Sequence, residues 1–169
     1  YEYFDGSPAS EGRLQFDLWG VTPASGRWDW ARLKRRIRLT GLRHSLLVAP
    51  MPTASTSQIL GNSEGLEPRT AHVSVRRTLA GEFVVVNRCL VDDLVARGLW
   101  SSTVKDAILA NGGSVMGVAA VPADLQAIHQ TAWEVGGRTL IALAAGRGPY
   151  VDQSQSLSAF MACPTPNQL

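Results

Sequence analysis

Cysteine is scarce in this sequence: Cys89 and Cys163 are the only two, and they lie far apart without forming a CxxC pair. A disulfide framework is therefore not expected, and a reducing, cytoplasmic location fits. Long hydrophobic runs are also missing, and no stretch approaches the roughly 20 apolar residues that a membrane-spanning helix needs. The formal net charge is only +2, which is too small to indicate a nucleic-acid partner or an anionic membrane.

Two further classes of site lack a signature in the sequence. The glycine-rich phosphate signatures GxGxxG and GxxxxGK(S/T) are both absent, which argues against a dinucleotide-binding fingerprint and a P-loop. His44, His72 and His129 are scattered and do not have the spacing of metal ligands. With 45% hydrophobic and 18% charged residues, the composition is that of a soluble globular protein.

The segment Trp28–Leu39 predicts an amphipathic helix. Trp30, Leu33 and Ile37 share one face of this helix, while basic residues cover the rest, and Gly41 is a suitable C-terminal stop. The basic run raises the alternative of nucleic-acid binding. No aromatic residues for base stacking interleave with it, so we interpret the run as a solvated face.

Short β-rich segments alternate with helical ones along the chain. Ser45–Ala49 is an apolar run short enough for a buried parallel strand. Ala71–Leu79 and Phe83–Val86 flank a turn and predict a hairpin. Two further alternating segments are Leu14–Val21, as a strand or extended arm, and Val151–Met161, as a loop followed by a strand. Strands that alternate with helices indicate an α/β fold with parallel pairing outside the hairpin.

Three more helices are expected in the second half of the chain. The first covers Leu90–Leu99, and Ser102 caps the second, which ends at an Asn-Gly-Gly run. Pro122 suits the first turn of a long third helix that extends through Leu143. The Gly136-Gly137 pair lies within that helix, and each glycine costs roughly 1 kcal/mol relative to alanine in a helix interior. A kink or a break is therefore expected there.

A Thr/Ser-rich turn follows the first apolar segment. The run Pro50–Asn62 begins at a proline, continues through Thr53, Ser55 and Thr56, and then opens a short helix, predicted over Ser57–Gly61. The hydroxyls are hydrogen-bond donors, and the free backbone N–H groups of a new helix add donors and a partial positive charge. The sequence therefore predicts an anion site. The alternative is that Thr53 and Ser55 simply cap the helix.

Polar residues outside this turn are candidates either for a binding site or for hydrogen bonds that hold a loop. Asp152, Gln153 and Gln155 precede an apolar segment and either line a site or hold a loop together, and a loop-capping network is the favoured interpretation. Asp152 has no paired carboxylate in the sequence, so acid–base chemistry is unsupported. Glu67, which precedes Pro68, is interpreted as structural.

Three segments together carry a resemblance to a known family. They are the run Pro50–Asn62, the stretch Asn62–Pro68 that continues it, and Val151–Leu157 near the end. In this order and spacing they closely resemble the large (alpha) subunit of class I ribonucleotide reductase, and the resemblance extends over nearly the whole chain. Members of that family are several times longer. We therefore expect an internal piece, with residues 1–169 forming part of the catalytic barrel domain and no separate domains.

The resemblance implies a fold and a chemistry. The family has a ten-stranded α/β barrel, and this piece is expected to supply strands and helices from its later half. The family reduces ribonucleoside diphosphates with a thiyl radical on a Cys, helped by a Glu and an Asn, in a loop upstream of the region that matches. No catalytic residue is therefore expected in this chain. By resemblance, Thr53, Ala54, Ser55 and Thr56 form the loop that binds the substrate diphosphate.

The resemblance also implies partners. They are a ribonucleoside diphosphate substrate, a second alpha subunit, a small subunit with a metal-based radical, and a thioredoxin-like reductant. ATP and deoxynucleotide effectors are expected to bind outside this chain, which is expected to hold no cofactor or metal itself. The alternative is a diverged, non-catalytic homologue that acts in protein interaction. The intact Thr53–Thr56 loop favours the reductase, since such a homologue need not keep phosphate donors.

Overall fold

The computed structural model describes residues 1–166, and the chain divides into two units. Unit 1 contains residues 1–51 and 141–157, and unit 2 contains residues 52–140 together with the segment that begins at 158. The chain passes from unit 2 into unit 1 within the helix that spans Gly137–Arg147.

Unit 1 contains two helices, α1 (Gln15–Leu18) and α2 (Trp30–Thr40), with 3-10 turns at Pro8–Glu11 and Gly148–Tyr150. Helix α2 confirms the predicted amphipathic helix. Its first turn is capped by Asp29, whose carboxylate accepts the N–H of Arg32 at 2.8 Å. Gly41 ends it with φ 77°, a left-handed backbone conformation that glycine adopts without strain. Ile37 is buried, as its position on the apolar face predicts.

Helix α1 contradicts the strand or extended arm that was predicted for Leu14–Val21. The Asp17 carboxylate accepts the N–H of Leu14 at 2.8 Å, which closes a helical turn in place of an extended backbone. The same carboxylate pairs with Lys34 Nζ at 2.6 Å, and Phe16 packs edge-on against Trp30 with ring centroids 5.0 Å apart. The alternating apolar residues did not indicate this local hydrogen bond.

The apolar run Ser45–Ala49 has no regular secondary structure, so the predicted buried parallel strand is wrong. Leu46, Leu47 and Val48 are each about half exposed. A strand needs a neighbouring backbone to receive its hydrogen bonds. Here a side chain takes that place, because the N–H groups of Leu47 and Val48 both donate to the carboxylate of Asp152 at 2.8 Å.

Unit 2 contains a β-hairpin and most of the helices. Strands β1 (Val73–Thr78) and β2 (Gly81–Val86) pair antiparallel, with Thr78 opposite Gly81, so the predicted hairpin is confirmed. This hairpin is the only sheet that the structure describes in residues 1–166. The helices of unit 2, in chain order, are α3 (Ala54–Leu60), α4 (Arg88–Ala96), α5 (Ser102–Ala110), α6 (Ala123–Ile128) and α7 (Ala132–Val135), and α8 (Gly137–Arg147) begins in unit 2 and continues into unit 1.

The core of unit 2 joins the base of the hairpin to α4, α5 and α6. Its buried members are aliphatic: Val73, Leu90, Leu94, Val104, Ile108, Val115, Val118, Val121 and Leu125. Complete burial of a Leu or Ile side chain stabilises a fold by about 1.5–3 kcal/mol. From the hairpin, Val73 of β1 belongs to this cluster and Val86, at the end of β2, packs against it, while the other residues of β1 are exposed.

Three sequence predictions for this half need correction. Helix α5 is capped by Ser101, whose hydroxyl accepts the N–H of Val104, and not by Ser102. The long helix that was predicted from Pro122 is three helices, with breaks before Thr131 and at Gly136. The strand that was predicted within Val151–Met161 is wrong, since these residues are irregular.

Candidate functional site

The four residues of the predicted phosphate loop come together at the start of α3. Thr53 is the residue before the helix, and Ala54, Ser55 and Thr56 form its first turn. The first helical hydrogen bond runs from the N–H of Ser57 to the carbonyl of Thr53 at 2.8 Å. The helix therefore begins three residues earlier than the sequence predicted.

The first turn of α3 presents unpaired donors. Ala54, Ser55 and Thr56 are exposed, and their backbone N–H groups have no acceptor within residues 1–166. The hydroxyls of Ser55 and Thr56 also make no hydrogen bond in that range. The first N–H groups of any helix lack an intrahelical acceptor, so an anionic oxygen is a suitable partner for them.

Thr53 has an unusual backbone. Its φ of 54° and ψ of 29° are left-handed, which is rare for a β-branched residue. Its Oγ1 accepts the N–H of Gly65 at 2.8 Å and makes no capping bond to α3. Ser55 makes no capping bond either, so the alternative that these two side chains only cap the helix is not what the structure shows.

The residues after α3 fold back on the helix. The N–H of Asn62 donates to the carbonyl of Ser57 at 3.1 Å, and the guanidinium of Arg69 donates to the carbonyl of Gly61. Gln58 Nε2 donates to Glu64 Oε1 at 3.3 Å. Together with the Thr53–Gly65 bond described above, these contacts connect the first turn of α3 to the segment that follows it.

Of the other polar candidates, Asp152 and Gln155 hold loops together, as the favoured interpretation predicted, whereas Gln153 is exposed and makes no hydrogen bond within residues 1–166. Asp152 receives the two N–H groups described above. Gln155 accepts from Arg147 Nε at 3.1 Å and donates to the carbonyl of Ala144 at 2.9 Å. Glu67 is structural, since its carboxylate accepts the N–H of Ser158 at 2.8 Å. None of these side chains belongs to the cluster at Thr53–Thr56.

Unit 2 also contains a polar cavity of about 460 Å³. Its wall includes Gln58, Glu64, Arg69, the hairpin residue Arg76, and two buried polar side chains, His72 and Asn87. The sequence did not predict this cavity, because its wall combines residues from the end of α3, the hairpin and the segment after 157.

His72 is held by hydrogen bonds at both ring nitrogens. Nε2 lies 2.8 Å from the carbonyl of His129, which can only accept, so Nε2 carries the proton. Nδ1 lies 3.0 Å from Nδ2 of Asn87, which can only donate, so Nδ1 is the acceptor. Asn87 Oδ1 in turn accepts the N–H of Cys89 at 3.2 Å. The arrangement therefore requires a neutral imidazole.

Sequence reasoning did not identify this cluster. His72 and His129 are far apart in the sequence, and only the tertiary structure brings them together. The one available signal was Asn87, a residue type common at N-caps, which lies three residues before the predicted helix Leu90–Leu99 and directly before the observed α4.

Two partly exposed carboxylates, Asp93 and Glu134, bind buried polar residues of unit 2. Asp93 accepts from His129 Nε2 at 2.7 Å. Glu134 accepts from the Ser114 hydroxyl at 2.7 Å and from the N–H of Thr131 at 2.6 Å. Burial by itself raises the pKa of Glu134, but the hydrogen bonds from Thr131 and Ser114 outweigh burial and hold that pKa below its ordinary value.

Within residues 1–166, no three His, Cys, Asp or Glu side chains lie close enough together to hold a metal ion. No helix in the same range is both long enough and apolar enough to cross a bilayer.

Comparison with known proteins identifies the family. The family described as "Ribonucleotide reductase, barrel domain" matches residues 1–169 of this chain. The chain therefore belongs to the ribonucleotide reductase barrel-domain family, which confirms the resemblance drawn from the loop and its flanking segments.

Individual relatives agree with this assignment. The chain is 55% identical over 166 residues to a ribonucleoside-diphosphate reductase large subunit of Dictyostelium discoideum, covering 98% of this chain and 19% of that protein. It is 55% identical over 161 residues to the large subunit of Arabidopsis thaliana, covering 95% and 20%. The solved Actinobacillus ureae class Id ribonucleotide reductase alpha subunit has a TM-score of 0.61 and 28% identity, covering 80% and 25%. The chain spans about a fifth of the length of these curated relatives.

Proposed function

We propose that this chain is the part of a ribonucleoside-diphosphate reductase large subunit that binds the diphosphate of the substrate. The complete subunit would reduce ribonucleoside diphosphates to deoxyribonucleoside diphosphates by radical chemistry. The family match over residues 1–169 and the names of the relatives support the enzyme, and they do not favour a non-catalytic homologue. The observation that carries the proposal is the set of donors in the first turn of α3, at Ala54, Ser55 and Thr56, that have no acceptor within residues 1–166.

In this proposal the loop binds phosphate with neutral donors. The hydroxyls of Ser55 and Thr56 and the N–H groups of the first turn of α3 donate to phosphate oxygens, and hydrogen bonds to a charged group are the stronger ones. Phosphate binding far from the reacting ribose also positions that ribose, so the loop contributes to turnover as well as affinity. The radical Cys and its Glu and Asn belong to parts of the subunit outside this chain.

The proposal extends to fold, partners and location. Both units would belong to one ten-stranded α/β barrel, and this chain would supply strands and helices from its later half. The subunit would pair with a second alpha subunit and with a small subunit that holds a metal-based radical, and a thioredoxin-like protein would reduce it. ATP and deoxynucleotide effectors would bind outside residues 1–169, in a cytoplasmic enzyme.

The double variant Ser55→Ala/Thr56→Ala, made in the complete subunit, tests the proposal. Each lost hydrogen bond to a charged group is worth about 1.5–3 kcal/mol, so substrate affinity and turnover should both fall strongly. The matched control is Ser102→Ala/Thr103→Ala. It also removes one serine and one threonine hydroxyl from an exposed first helical turn, that of α5. Unchanged affinity and turnover in the loop variant, relative to this control, would contradict the assignment.

A further inference from the structure

We propose that His72 and Asn87 form a proton-sensitive clamp that couples the base of the hairpin to the start of helix α4. The two residues bracket the hairpin, since His72 immediately precedes β1 and Asn87 immediately follows β2. This inference concerns a different part of unit 2 from the phosphate loop and does not depend on the proposed function.

The backbone of the clamp fixes both ends of the hairpin. The N–H of His72 donates to the carbonyl of Gly113 at 2.8 Å, at the end of α5. The N–H of Asn87 donates to the carbonyl of His72 at 2.7 Å. Both side chains are buried, with 3% exposure for His72 and 6% for Asn87. Water therefore does not readily replace a hydrogen bond that is lost here.

Asn87 performs two tasks with the two ends of one amide. Its Nδ2 donates to His72 Nδ1, and its Oδ1 accepts the N–H of Cys89 in the first turn of α4. A proton on His72 Nδ1 would place two donors opposite each other. Rotating the amide by half a turn restores an acceptor to His72, but it then turns the NH₂ group towards the N–H of Cys89. Asn87 can therefore satisfy a charged His72 or cap α4, but not both.

The surroundings favour the neutral ring. Burial lowers the pKa of His72 below its ordinary value of 6.5, and electrostatic interactions with His129 and Arg69 act in the same direction. The His129 carbonyl and Glu134 oppose this lowering without cancelling it. The other charged groups on the wall of the adjoining cavity are Glu64, Glu67 and Arg76.

The direction of the pH dependence follows from the lowered pKa. The unfolded chain takes up the proton at its ordinary pKa of 6.5, whereas the folded chain resists it until lower pH. The contribution of the clamp to stability is therefore complete above pH 6.5 and is lost as the pH falls through the pKa of the folded state. Acid should loosen the hairpin base and the first turn of α4 before the rest of unit 2.

Replacing Asn87 by Asp removes the conflict. Asn87→Asp places one carboxylate oxygen opposite His72 Nδ1 and keeps the other as the acceptor for the N–H of Cys89. A carboxylate satisfies the protonated ring, so this variant should hold His72 charged and keep α4 capped in acid. His72→Gln gives a second variant, because it keeps an N–H donor for the His129 carbonyl and cannot titrate.

The experiment is hydrogen–deuterium exchange on the complete subunit at pH 5.5 and pH 7.5, corrected for the intrinsic pH dependence of exchange. In the wild type, peptides covering residues 73–92 should lose protection at pH 5.5 by roughly fivefold, the usual effect of losing a helix cap. Both Asn87→Asp and His72→Gln should abolish this loss. The control Asp93→Asn alters the partner of His129 and keeps both hydrogen bonds of the His72 ring, so its acid response should remain.

Equal protection of residues 73–92 at the two pH values in the wild type would overturn the clamp. A loss of protection in His72→Gln as large as that in the wild type would do the same, since that variant has no group to titrate at this position. The result for His72→Gln decides the question even if Asn87→Asp does not fold.

Discussion

At the residue scale, Thr53 combines a strained backbone with a side-chain hydrogen bond that restrains it. A left-handed conformation costs a non-glycine residue roughly 1–2 kcal/mol, and it persists only where the surroundings hold it. The bond from the N–H of Gly65 to Thr53 Oγ1, at 2.8 Å, is a contact that can do this. The hydroxyl proton of Thr53 is left available for another acceptor.

The Thr53–Gly65 bond gives a prediction about local order. Thr53→Val keeps the shape of the side chain but removes the acceptor, so the protection of the Gly65 amide should fall by about 1 kcal/mol. Thr53→Ser keeps the hydroxyl and should retain most of that protection. Amide exchange of a peptide spanning residues 62–67 measures both. Equal exchange in the two variants would show that the hydroxyl does not hold this turn.

The positions of the proposed phosphate loop could be predicted from the sequence, whereas the backbone conformation and hydrogen bonds of its residues could not. The order of the loop and its flanking segments indicated the family and therefore the four positions. The left-handed Thr53 and its bond to Gly65 were not predictable, because they depend on a turn that closes across twelve residues. The same limit applies to His72, whose partners come from the ends of β2 and α6.

At the element scale, the two adjacent glycines between α7 and α8 have different conformations. Gly136 has φ 76° and separates the helices, while Gly137 is the first residue of α8. A Cβ atom would meet nothing within 4 Å at either position, so only the backbone distinguishes them. The expected break therefore occurs at Gly136.

A pair of single substitutions tests this difference. Gly136→Ala forces an alanine into the left-handed region and should destabilise the segment by about 1–2 kcal/mol. Gly137→Ala lies in a helix and should be neutral or stabilising by up to about 1 kcal/mol. The measurement is amide-exchange protection of residues 132–147 in the complete subunit. Equal losses in both variants would mean that the helix break does not depend on the backbone of Gly136.

Elements defined by local signals were predicted well, and elements that depend on distant partners were not. Helix α2, the hairpin and helices α4 and α5 follow from nearby caps, turns and periodicity. The segments Ser45–Ala49 and 157–161 were predicted as strands from their apolar residues alone. A strand also needs a paired backbone, and Asp152 and Glu67 satisfy N–H groups in these segments instead.

At the scale of the whole molecule, the family could be predicted while the barrel could not be observed. Residues 1–166 contain one two-stranded sheet, and large apolar side chains such as Leu39, Leu47 and Val84 are exposed. The chain spans about a fifth of the length of its curated relatives, which supports the proposal that other parts of the subunit complete the barrel.

Product formation by the complete subunit tests the proposal that this chain belongs to a working reductase. A ribonucleoside diphosphate is supplied together with the small subunit and a thiol reductant, and the deoxyribonucleoside diphosphate is quantified. We expect product whose formation needs all three components and falls strongly in Ser55→Ala/Thr56→Ala. Binding of the diphosphate without any product would contradict the proposal and would favour a non-catalytic homologue.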